Sequence, residues 1–87
     1  MKKIVTVQEV DGEGLEGLLG KRVTLYCARF IYSGDLAGVN DTCVLLENAE
    51  IVFDTGELNS KTWSVSESLP NVWYVQRQAV ESFGVLK

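Results

Sequence analysis

The stretch Tyr32-Ser-Gly-Asp-Leu-Ala-Gly-Val-Asn-Asp-Thr-Cys-Val-Leu-Leu-Glu-Asn-Ala-Glu-Ile-Val-Phe53 decides the fold. It is rich in strand-forming residues, yet it carries glycine at 34 and 38 and Asn-Asp at 40 and 41. Glycine weakens a strand unless the strand bends there or another backbone comes close. Two of them in one run therefore predict a sharply curved strand. Asn40-Asp41 predicts a tight turn, since both residues tolerate turn conformations. The run from Cys43 to Phe53 then reads as a second long strand. It is apolar on both faces at Cys43–Leu46 and again at Ile51–Phe53. Burial on both sides in so small a chain implies a closed barrel or a subunit contact.

Upstream, Lys21–Cys27 alternates with period two, placing Val23 and Leu25 on one face of a first strand. Before it lies a run with Leu15, Leu18 and Leu19 at helical spacing, Asp11 as an N-cap and Gly20 as terminator. Those positions predict a short helix. Three glycines inside it, each costing about 1 kcal/mol, mean that it depends on docking its leucines. Residues 3–7 alternate as a short strand. Downstream, Asp54–Pro70 is polar with one Trp and reads as a long loop or a protruding hairpin around residues 61–66. Asn71–Gln76 is a fourth strand, with Val72 and Tyr74 opposite Trp73 and Val75. Ala79–Leu86 is a fifth, and Arg77-Gln78 is a very short link between them.

The expected fold is thus mostly β. A short N-terminal helix leads into a five-stranded, strongly bent antiparallel sheet that closes as a small barrel. At 87 residues the chain is a single domain near the lower limit for a lone core. It divides into 1–20 (strand and helix), 21–53, the variable loop 54–70, and 71–87. Apolar residues make up 46% of it, too many for a disordered chain. Oligomerisation would bury apolar area that one copy leaves wet.

Eight basic against 12 acidic residues give a net charge of −4. That excludes a protein gripping nucleic acid with its whole surface, but not a local basic rim. Lys21, Arg22 and Arg29 are the clustered cations. No window approaches the ~20 apolar residues of a membrane span. The apolar stretch of MKKIVTV is too short for a signal peptide, so a cytoplasmic location is expected. Cys27 and Cys43 sit in apolar runs and read as buried small hydrophobes. With no histidine and no close cysteine pair, neither a metal nor a cofactor is expected. Glu47 with Glu50 has no feature that would perturb it for acid–base chemistry, and no nucleophile stands beside a base, so the chain does not read as an enzyme.

The order of elements, with certain residues, resembles the Sm/LSm family, which includes Hfq-type proteins. Leu15–Tyr26, LEGLLGKRVTLY, is similar to the family's entry into its first strand. Gly34, Leu36 and Gly38, then Leu45, Asn48, Ala49 and Glu50 with a one-residue shift, resemble its first motif. Asn40 stands where the family usually has Asp. Arg77 matches its Arg-Gly second motif, with Gln78 in place of the glycine. The likeness covers roughly residues 15–53 and 71–85.

The resemblance implies subunits that pair the fourth strand of one copy with the fifth of the next, in a ring of five to seven. It implies single-stranded, U- or A-rich RNA bound at the pore through Asn40, Asp41, Thr42, Arg77 and Gln78. Two readings stay open beside it. One is the same ring serving assembly or protein partners without RNA. The other is an unrelated five-stranded barrel of OB or SH3-like type. Trp73 and Tyr74 read as packing residues; Trp63, in a polar loop, reads as a contact for a partner or a second ring.

Overall fold

The computed structural model describes residues 14–87. Asp11 and the alternating segment 3–7 lie outside the described residues. Six strands follow one another: β1 (Arg22–Cys27), β2 (Ile31–Val39), β3 (Cys43–Asp54), β4 (Val65–Ser68), β5 (Trp73–Gln76) and β6 (Val80–Gly84). All pairings are antiparallel. The order across the sheet is β4-β3-β2-β1-β6, with β5 also on β3.

Three expectations are corrected. The leucine run does not form an α-helix; it forms a 3-10 turn at Glu16–Leu18, preceded and followed by Gly14 and Gly20 at positive φ. Those glycines break the chain direction at each end and leave no room for more than one turn. The turn still docks, because Leu15 is buried in the core and Leu18 packs against it. Residues 54–70 are not a plain loop: the hairpin reading is the nearer one, since they contain a sixth strand, β4, which pairs with the end of β3 on the edge that β5 occupies further along. Finally, the sheet does not close into a barrel. Among the described residues β6 pairs only with β1, while β4 and β5 pair only with β3, so two flanks stay open.

The core lies on one face of the sheet: Val23 and Leu25 from β1, Leu36 from β2, Val44, Leu46 and Ala49 from β3, and Val75 from β5. Trp73 packs against it, as expected, whereas Tyr74 is 64% exposed. Burial on both faces of β3 is not found. Phe53 is 57% exposed, and Cys43 and Leu45 are half-buried.

Gly34 does what its place in the sequence predicts. The β2–β3 register shifts between Ser33 and Asp35, where Gly34 faces the two-residue bulge Asn48-Ala49. A methyl on Gly34 would lie 3.1 Å from Leu46 Cβ and 3.2 Å from both Ala49 Cα and Cβ. The bulge bends the ribbon, and only a bare α-carbon lets the strands approach so closely. Asn48 takes φ +49°, a conformation that Asn tolerates. Its amide donates to Asp35 Oδ2 at 3.0 Å. Arg22 fastens the bulge by donating to the Asn48 carbonyl at 2.9 Å and to Glu50 at 2.8 Å, with Asp35 at 3.3 Å. Arg22 is thus an interstrand tie, which removes it from any free basic cluster.

Candidate nucleic-acid interface at the β2–β3 turn

Asn40, Asp41 and Thr42 form the turn between β2 and β3. The Asn40 side-chain oxygen accepts from the backbone N–H of Thr42 at 2.8 Å and of Cys43 at 2.7 Å. It also accepts from the Thr42 hydroxyl at 3.1 Å. Such an Asx turn needs only the side-chain acceptor, so Asn serves it as well as Asp would. The Asn40 N–H donates to Cys43 O at 3.0 Å and completes the hairpin. Asn40 Nδ2 makes no hydrogen bond among the described residues and keeps two donors for a ligand.

Arg77 comes to this turn from the other end of the chain. It opens a 3-10 turn, Arg77–Ala79, that links β5 to β6. Its backbone N–H donates to Thr42 O at 2.8 Å. Its Nη1 donates to Asn40 O at 3.0 Å and pairs with Glu16 Oε1 at 3.0 Å. Register explains the meeting: β5 runs antiparallel to the start of β3, with Cys43 opposite Gln76, so the residues just beyond that pair converge. Arg77 keeps Nη2 and Nε without a partner among the described residues, and its side chain is 35% exposed. Gln78 is exposed in the same 3-10 turn. Three of the five expected residues, Asn40, Thr42 and Arg77, are thus joined by hydrogen bonds, and Asp41 lies between two of them in sequence. Gln78 joins them by adjacency to Arg77 alone.

Sequence reasoning missed Glu16, whose carboxylate is the counter-charge of Arg77. A hydrogen bond from its own backbone and then the Arg77 guanidinium hold its acid below the usual range. No local signal marks that partner, because the two meet only through the fold. Around the turn the charges are mixed: one free cation edge, the exposed Asp41, and the paired Glu16.

Cys27 and Cys43 are half-buried free thiols, and burial followed by Glu81 pushes the Cys27 thiol up. Among the described residues no group of three His, Cys, Asp or Glu is placed to hold a metal ion. No helix among them is long and apolar enough to cross a membrane. Comparison of the chain with protein-family models, with curated proteins and with solved structures finds no match.

Proposed function

We propose that this protein is an Sm-like ring-forming subunit that binds single-stranded RNA through the β2–β3 turn and Arg77. The observation that supports it most is the convergence of Arg77 on Asn40 and Thr42 by two hydrogen bonds from segments far apart in sequence. Together these groups offer what an unstacked nucleotide needs. The Asn40 amide can donate to a base edge, and the free side of the guanidinium can take a phosphate or stack on a base.

A ring is supported by the two open flanks. Val72 and Tyr74 stand exposed at β5, and Phe83, Val85 and Leu86 at and beyond β6. Unpaired strand edges with apolar neighbours invite pairing, and two different edges on one subunit make a head-to-tail contact, the kind that forms a ring when the rotation per copy closes. Repetition around an axis would set the Arg77 cations side by side, while the net charge of −4 per copy keeps binding local and salt-sensitive.

Size-exclusion chromatography with light scattering, and titration of short U-rich and A-rich oligonucleotides at low salt, test both parts. The expected result is an oligomer that binds RNA. In it Arg77→Ala loses about tenfold or more in affinity and lowers the salt slope by about 1, with the ring intact. A monomer that ignores RNA at low salt would end the reading.

A second reading has an observation of its own. Arg77 is already engaged by Glu16 and Asn40, and the Asn40 oxygen by the turn, so these groups serve as architecture. On that reading the same ring is an assembly module for protein partners. An intact ring whose RNA binding is absent, or unchanged by Arg77→Ala, would favour it.

A further inference from the structure

The loop between β3 and β4 turns back on itself. Gly56 sits at φ +64°, and a side chain there would meet Ser64 Cβ at 3.2 Å. Its internal bonds are all local: Gly56 N–H to Asp54 at 3.0 Å, Ser60 N–H to Glu57 O at 3.0 Å, and Thr62 N–H to the Ser60 hydroxyl at 3.4 Å. What spans the loop is Lys87. Its Nζ donates to three backbone carbonyls, of Thr55, Glu57 and Thr62, each at 2.8 Å. The same Nζ lies 4.4 Å from the centre of the Trp63 ring.

This arrangement is matched to one chemical group. An alkylammonium has three N–H donors, and three carbonyl oxygens from both limbs of the loop receive them. The indole face adds a cation–π contact. A guanidinium spreads its donors over three nitrogens in one plane and cannot put three of them on one atom 2.8 Å from all three oxygens, and a quaternary ammonium has none to give. Trp63 is thus engaged within the chain by Lys87, and its half-buried ring keeps an exposed part. Charged Lys61, in the same loop, stands exposed and does not take the place.

We infer that residues 55–63 form a receptor for a primary ammonium group, which Lys87 fills in cis. The receptor does not depend on the RNA reading. Its occupancy also sets a nearby surface. An open apolar groove of about 350 Å³ has Leu58 of this loop on one side, and Phe83, Val85 and Leu86, next to Lys87, on another. Withdrawing Lys87 frees both walls, while a primary alkylammonium then refills the carbonyl triangle without restoring the tie to Leu86.

The test is chemical rescue. Lys87→Ala, and Lys87→Met to keep the length of the stem, are compared with the unsubstituted protein by amide hydrogen exchange over residues 56–63. The indole N–H resonance of Trp63 is followed in parallel. Both variants should raise exchange in the loop about tenfold or more while strands β1–β3 stay protected. n-Butylammonium should restore protection and the Trp63 resonance saturably, and tetramethylammonium at equal concentration should do neither. Three results would overturn the inference. One is a loop left unchanged by both variants. Another is no saturable return with butylammonium, which would make Lys87 a simple tether. The third is equal restoration by tetramethylammonium, which would reduce the site to a charge on an aromatic face.

Discussion

Replacing Gly34 by alanine adds one methyl where the β2–β3 ribbon bends. That methyl meets Leu46 Cβ at 3.1 Å and Ala49 Cα and Cβ at 3.2 Å. Carbon atoms pack best at about 3.5–4.0 Å, so each neighbour must retreat by a few tenths of an ångström. One of them is backbone, within a bulge fixed by Arg22. Overpacking of this kind costs about 1–3 kcal/mol. Against it stands about 0.4–1 kcal/mol gained by restricting the unfolded chain. The φ of Gly34 is not positive, so no backbone strain is added. The net expectation is a loss of about 1–2 kcal/mol. Gly38→Ala is the internal control. Its methyl would meet Leu45 Cβ at 3.6 Å, an ordinary contact, so only the favourable part remains. The two variants should therefore differ by about 2 kcal/mol. For a domain of this size that corresponds to roughly 8–16 °C in Tm. Urea unfolding at one fixed protein concentration, with the slope compared among the three proteins, measures it. Equal stability of the two variants would refute the close approach as the reason for glycine at 34.

Other expectations follow from the turn and the carboxylates. Asn40→Ala removes an acceptor for three donors and should lower stability by about 1–2 kcal/mol in denaturant unfolding, while Asn40→Asp keeps the acceptor and should stay within about 0.5 kcal/mol. The Asn48 amide first, and Arg22 after it, hold Asp35 below its usual range against desolvation, and Glu16 is lowered likewise. A carboxylate lowered in the folded state stabilises above its unfolded pKa, and that contribution is lost as pH falls through the folded value. Stability should thus decline on acidification below the ordinary carboxylate range, with a shallower decline in Asp35→Asn. Denaturant midpoints across a pH series read this, and an unchanged slope in the variant would count against the Asn48–Asp35–Arg22 tie.

Period-two alternation made most strands legible, because a half-buried strand writes its inward face into the chain. Val23 with Leu25, and Trp73 with Val75 against Val72 with Tyr74, lie on the faces that alternation assigns. Gly34 was readable for a related reason: glycine in a strand has few physical uses. The leucines at 15, 18 and 19 misled because their spacing suits one turn as well as a helix, and flanking glycines set the length. Strand β4, VSES, was hidden because all four residues are exposed and carry no inward face. That the sheet stays open was not legible either, since closure depends on contacts between distant edges rather than on any local pattern. At the turn, resemblance and turn chemistry single out Asn40–Thr42 and Arg77, and the fold places these residues side by side. Glu16 and Lys87 carry no such mark, because their partners lie far away in the sequence and meet them only through the fold.

Pairing of β1 with β6 joins Thr24 to Gly84, nearly the whole length of the described sheet. During synthesis the early hairpin β1–β2–β3 can form as soon as it leaves the ribosome, but β1 must then wait with one side bare until the last strand emerges. Contacts so distant in sequence close late and slowly. In that interval the bare edge of β1 is open to pairing with a wrong strand.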